Sequence, residues 1–430
     1  MTDSAQSEAH ASAALPLSIS ARLGRLQFHL SGKFRVLQCA DVQDGLRISQ
    51  DTIRLIASAC DAVRPDLVVF TGNQIAGYER VFAKTFQRRL WQESSNISAS
   101  DKKQLVDKVH EFVAKLMKPL EDRSIPWVVT YGNHDFQCGL SNEELDKIYQ
   151  DFPCCMNRSA SNVSSASAMQ STKCVLPKQI IFTCEPGTFA LPVMDEKHEK
   201  VVFSIVLVDS GDYAKSGGYG SPSKKTIEFI SGLSSYLPEH ICVFQHFPLP
   251  QYYRVLREVP QELAAREHAI EGYRTFAGRY YALDEKHVLP DGYLGEGISC
   301  PDADSGEYAA LLDAGAFALI AGHDHRNSFA AKDPESNMLF VATPTCGFGS
   351  YGPEPAKRGV RLLEFDIRHP FEPRTQMLEF GNLVGKPSSK KAYTYALTAE
   401  SEHELPEVDL LRKPSLLTRL IRRWRQRSTR

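Results

Sequence analysis

What the 430-residue chain lacks already narrows its class. None of its ten cysteines stands in a C-x-x-C pair, so the framework of a zinc knuckle is excluded. No segment repeats at a fixed period, which excludes a solenoid. No apolar run reaches the length of a membrane-crossing helix, and the first twenty residues have no basic start followed by an apolar stretch. The expectation is therefore a chain with neither secretory signal nor transmembrane helix, its thiols free in a reducing, cytoplasmic setting. A net charge of −2 gives no overall bias toward nucleic acid.

The charge is nonetheless unevenly placed. Residues 411–430 hold eight Lys and Arg and no acid, so the remainder has 42 basic against 52 acidic side chains. In that tail Leu416, Leu417, Leu420, Ile421 and Trp424 fall on one helical face, with arginines over most of the rest. Three readings fit: a helix lying on an anionic membrane surface, an unstructured basic tail or, third, a nucleic-acid-binding segment. Residues 1–30 read as a flexible leader and 31–384 as the folded domain. The domain includes a serine-rich loop insert at 153–176, and residues 385–430 follow it as the tail. Within the insert, six serines occupy thirteen positions at 159–171.

Periodicity gives the order of elements. Apolar runs at 34–40, 66–71 and 126–131 read as buried strands. They alternate with helical spacings at 49–63 and 101–122, the second carried by Leu105, Val109, Phe112, Val113 and Leu116. This β-α-β-α-β alternation predicts an α/β fold with helices over the sheet. Further strands are predicted near 178–184, 201–208, 241–245, 317–321, 338–343 and 359–366, and helices near 223–235 and 305–314. Residues 254–300 read as mixed helix and loop: a candidate lid or surface decoration.

Each central strand ends in a polar cluster. Asp41-Val-Gln-Asp-Gly45, Gly72-Asn-Gln74, Gly132-Asn-His-Asp135, His246 and Gly322-His-Asp-His325 follow five strands in order. Ligands bind at the carboxyl ends of strands in such sheets. Imidazoles and carboxylates bind zinc, manganese or iron, and amide oxygens can complete the shell. One such tetrapeptide alone would read as a turn with a solvated histidine; five in register point to one cation pocket.

With these clusters the chain resembles the calcineurin-like metallophosphoesterases, in particular their purple-acid-phosphatase-related branch. The family pattern runs D-x-H, G-D, G-N-H-[D/E], a lone His, then G-H-x-H. Leu67–Gly72, Asp209-Ser-Gly-Asp-Tyr213 and Phe244–Pro250 also look like that branch. The resemblance spans residues 33 to 365 and implies a four-layer α/β/β/α arrangement, a central β-sandwich flanked by helices. It implies one or two divalent ions (Mn, Fe or Zn). One would be held by Asp41, Gln43 and His325, the other by Asn133, His246 and His323, with Asn73 at the bridging position. His134 would serve as general acid or stabilise phosphoryl charge, and Asp135 would orient it. The implied activity is hydrolysis of a phosphate ester by metal-activated water, on a phosphorylated small molecule or phosphoprotein. The acidic body weighs against nucleic acid as substrate.

Two departures stand out. Gln43 replaces the family's His, and Asn73 replaces the bridging Asp. A bridging carboxylate offsets repulsion between dications about 3.5 Å apart, a gross term on the order of 20 kcal/mol at an effective dielectric near 20. A neutral amide offsets far less. Three outcomes stay open: a single ion held by Asn133, His246 and His323; recruitment of another carboxylate, Asp44 or Asp324; or a weak remnant that binds phosphorylated ligands without turnover. Against the phosphoesterase reading stands that of a catalytically weak or inactive ligand-binding protein.

Overall fold

The strand Leu67–Thr71 shows how the layers arise. All five of its residues are buried, so both of its faces are covered. Leu67 and Val69 enter the core between two sheets, whereas Val68 and Phe70 enter the core beneath the helices, because successive side chains of a strand point to opposite faces. On the far side of the sandwich Cys242 and Phe244 face inward and Val243 faces out, and Ala318, Ile320 and Leu319 divide the same way. The computed structural model, which describes residues 16–92, 97–158, 167–168 and 174–388, thus has the expected four layers.

The first sheet runs in the order His369–Glu379, Gly359–Asp366, Lys33–Cys39, Leu67–Thr71, Trp127–Thr130, the last three parallel. The helices Gln50–Val63 and Ala99–Glu121 cover it, with their N-termini capped by Ser49 and Ser98. The second sheet has eight strands. At its centre Leu339–Ala342, Ala316–Ala321, Ile241–Gln245 and Val201–Val208 lie parallel, beneath the helices Lys224–Gly232 and Glu307–Asp313. The predicted strands at 201–208, 241–245 and 359–366 match to the residue.

Two expectations are corrected. Residues 16–30, read as part of a flexible leader, are packed: the helix Ile19–Leu23 is capped by Ser18, and Leu26 and Phe28 are fully buried. Their alternation is a strand-like signal too short to outweigh the polar residues around it. Residues 254–300 hold a three-stranded antiparallel sheet of Ile270–Glu271, Tyr280–Leu283 and Leu256–Val259. Tyr253 stacks on Phe276 within this unit, with centroids 3.6 Å apart. Residues 1–15 of the leader, most of the serine-rich insert and the tail from 389 lie outside the described residues. Among the described residues no helix is long and apolar enough to cross a membrane.

Candidate metal centre

Parallel strands in both sheets deliver their carboxyl ends to one edge of the sandwich, and the five polar clusters meet there. Backbone bonds tie the loops together: Gln43 N–H to Asn73 O at 2.7 Å, Gly322 N–H to His246 O at 3.1 Å, Cys346 N–H to Ala40 O at 2.9 Å. Close approach demands glycine. A Cβ on Gly132 would lie 2.3 Å from Asn73 Oδ1, and one on Gly322 would lie 2.7 Å from Asp41 Oδ2. Asp41, Gln43, Asn73 and His323 all adopt left-handed backbone, with φ of 50°, 38°, 53° and 70°. Such conformations cost roughly 1–3 kcal/mol each and persist where surrounding structure imposes them, characteristically at functional sites.

Hydrogen bonds fix the side-chain orientations in sequence. Asn73 Oδ1 accepts the backbone N–H of His134 at 2.9 Å. Its amide nitrogen must then point the other way, where it donates to Asp41 Oδ1 and Asn133 Oδ1, both at 3.2 Å. Asn133 Oδ1 is thereby oriented toward His246 Nε2, 3.0 Å away. His246 Nδ1 donates to the Thr71 carbonyl at 2.8 Å. Burial holds this imidazole below its ordinary pKa, against the pull of Asp41. A neutral ring with its proton on Nδ1 leaves the Nε2 lone pair facing an acceptor oxygen, an arrangement that calls for a cation between them.

His323 completes that corner. Its ring lies 4.9 Å from that of His246 by centroids, and its Nε2 is buried with no hydrogen-bond partner among the described residues. Burial, then the neighbouring imidazoles of His246, His325 and His134, keep it well below the usual range and therefore neutral. Asn133 Oδ1, His246 Nε2 and His323 Nε2 fit a divalent cation. Among the described residues no three His, Cys, Asp or Glu side chains group to hold a metal; this corner has two imidazoles, and its third donor would be an amide oxygen.

The other half of the site differs. His325 Nδ1 donates to the Tyr351 carbonyl at 2.8 Å, and its Nε2 lies 3.4 Å from Asp41 Oδ1. Asp41 Oδ2 accepts the His323 N–H at 2.7 Å. Burial raises the Asp41 pKa, but His246, His325 and that N–H outweigh it and hold the carboxyl below its ordinary value. Gln43 donates to Tyr78 Oη at 2.8 Å, and its Oε1 is buried without a partner among the described residues. Asn73 corrects an expectation. At the bridging position it presents N–H groups rather than an oxygen lone pair, because its oxygen is committed to His134. Asp44 and Asp324 are engaged elsewhere: Asp44 accepts from Ser49 N–H and the Thr52 hydroxyl, Asp324 from Ser299 N–H and Asn327.

Asp135 is also corrected. Its carboxylate accepts backbone N–H groups from Asn73 at 2.7 Å, Gly132 at 2.8 Å and Ile75 at 3.0 Å. Burial pushes it up to about 7 against those donors. It ties the turn together and does not hold the His134 ring. Gln137 does that: its Oε1 takes the proton of His134 Nδ1 at 2.8 Å, while its own amide nitrogen donates to Arg88 O at 3.2 Å. Burial lowers His134 to about 4. At neutral pH its Nε2 therefore carries a lone pair, and the ring offers a proton from that atom only in acid. Sequence reading gave no role to Gln137, Tyr78 or Tyr213; Tyr213 stood inside a quoted motif, five residues past the end of the strand Val201–Val208.

The calcineurin-like phosphoesterase profile matches residues 34–327, more than half of the chain, and the chain belongs to that family, whose members use divalent metals. Among its relatives is a protein named probable inactive purple acid phosphatase 14 from Arabidopsis thaliana, 23% identical over 80% of this chain and 78% of that protein. Another is phosphatase DCR2 of Saccharomyces cerevisiae, 22% identical over 72% of this chain and 47% of that protein. A solved dimetal phosphatase from Danio rerio aligns with 81% of this chain and 99% of its own at a TM-score of 0.38 and 13% identity.

Proposed function

We propose that this chain binds phosphate esters through one divalent cation held by Asn133, His246 and His323, and hydrolyses them weakly or not at all. A cation there neutralises phosphoryl charge and polarises a bound water. The observation that carries the reading is the Asn73 amide, whose two N–H groups occupy the side of the site where a bridging carboxylate would face a second ion. The neutral His134, with an acceptor rather than a donor at Nε2, points the same way. Three further observations favour a second reading, a two-ion phosphatase: the Asp41–His325 pair at 3.4 Å, the unpartnered Gln43 oxygen and a relative named as a phosphatase.

The deciding experiment is metal analysis with a phosphate-release assay on an aryl phosphate, for the wild type and Asn73→Asp. The proposal expects a single ion and background release in the wild type, with a second ion and turnover gained by Asn73→Asp. A second ion with turnover in the wild type establishes the phosphatase instead.

A further inference from the structure

The segment from Tyr78 to Trp91 reaches His134 directly through Tyr78 and reaches the surroundings of Asn133 through Tyr213. On one flank the Tyr78 ring meets His134 edge to face at 4.8 Å, and Arg88 O fixes Gln137. On the other flank Leu90 N–H donates to Asp212 Oδ2 at 3.0 Å, and Trp91 Nε1–H donates to the Tyr213 carbonyl at 3.1 Å. The Arg89 guanidinium lies 3.5 Å from the centroid of the Tyr213 ring, which also stacks on Tyr219. The cation–π contact, the stacking and the backbone bond together restrain the ring. In that position its hydroxyl accepts from Asn133 Nδ2 at 2.6 Å.

The geometry points to Tyr213 as the residue that aims Asn133, holding the amide nitrogen so that its oxygen faces His246 Nε2. An asparagine ligand is useful only in one of its two flipped orientations, since the amide nitrogen has no lone pair for a cation. Asn73 disfavours the wrong orientation from one side of the amide, and Tyr213, the nearer of two acceptors with His134 Nε2 at 3.3 Å, from the other. Arg89 and Trp91 act one step further out, on the ring. The inference rests on the single-cation reading above and adds to it a positioning residue outside the ligand set.

The test is Mn²⁺ affinity of the full chain by calorimetry, with Co²⁺ absorption as a report on ligand geometry. Tyr213→Phe keeps the ring and its stacking and removes the hydroxyl that receives Asn133 and Arg89. Loss of a group that orients a ligand lowers metal affinity by about 10–100-fold, and that is the expected drop, with a changed Co²⁺ spectrum and an unfolding midpoint without metal close to that of the wild type. In Asn133→Asp either oxygen can face the imidazoles, so adding Tyr213→Phe there should cost less than about threefold, a coupling that a merely structural role does not produce. Unchanged affinity in Tyr213→Phe, or the same penalty in both backgrounds, overturns the positioning role and leaves the single-cation site standing. A wild type that takes up no ion overturns both.

Discussion

Asn73 gives its side-chain oxygen to the backbone N–H of His134 at 2.9 Å and so turns its amide nitrogen onto Asp41 and Asn133. One amide thus performs with hydrogen bonds the neutralisation that a cation would otherwise perform between those oxygens.

Asn73→Asp is therefore expected to separate the two states of the site. Without metal the new carboxylate faces Asp41 and withdraws two donors, a loss of about 1–3 kcal/mol. With Mn²⁺ or Zn²⁺ the variant should recover beyond the wild type. Thermal unfolding of both proteins, with chelator and with metal, reads this directly; a variant as stable as the wild type in chelator contradicts it.

Two glycines should respond oppositely to alanine. The Cβ of Gly132→Ala would meet Asn73 Oδ1 at 2.3 Å and its backbone nitrogen at 2.7 Å. Overpacking of this kind costs about 1–3 kcal/mol, and the metal corner should be lost with it. Gly232, at the end of the Lys224–Gly232 helix with φ −83°, has nothing within 4 Å of an added Cβ. Gly232→Ala should raise stability by about 0.4–1 kcal/mol. Denaturant midpoints check both signs.

Glu307 supplies a pH dependence away from the metal ligands. Burial raises its carboxyl from the ordinary 4.5 to about 8, with Gln245 opposing. The folded chain then holds a proton that the unfolded chain releases. The associated stability is fully present below pH 4.5 and is lost as pH rises toward 8, at on the order of 1 kcal/mol per pH unit. Glu307→Gln should remove that slope: wild type and variant converge near about pH 5 and diverge in favour of the variant near about pH 9. Parallel stability curves across that range rule it out.

Arg361 pins the two sheets. From the strand Gly359–Asp366 its guanidinium reaches Thr343 Oγ1, Ser328 Oγ and the Ala342 carbonyl beside the second sheet, and Thr375 Oγ1 in its own. Burial lowers it to about 10. Arg361→Ala leaves a void and unbonded polar groups, and a loss of about 3 kcal/mol is expected. A change below about 1 kcal/mol in chemical unfolding would place that role elsewhere.

For the basic tail, which lies outside the described residues, the expected observation is sedimentation with anionic vesicles and not with neutral ones. Removal of residues 411–430 should abolish it. Equal sedimentation of the shortened chain disposes of the membrane reading.

The strand and helix pattern was legible because it is local. An unbroken apolar run such as Ile241–Gln245 is a buried strand in almost any context, and the ligand candidates could be read because each directly follows one. Asp135 shows where that reading stops. Its neighbour His134 looks like its partner in the sequence, yet adjacent side chains on a tight turn diverge, and a buried carboxylate surrounded by backbone N–H groups is satisfied by them. Gln137, two residues further on, curls back in a short 3-10 turn and reaches the ring instead.

The sequence by itself determined which residue types arrive at the sandwich edge, since strand ends are set by where apolar runs stop. Only the tertiary structure decided which atom of each amide faces the centre. That choice depends on donors and acceptors brought from distant segments, the His134 N–H for Asn73 and the Tyr213 hydroxyl for Asn133, and an amide has no orientation until such partners surround it.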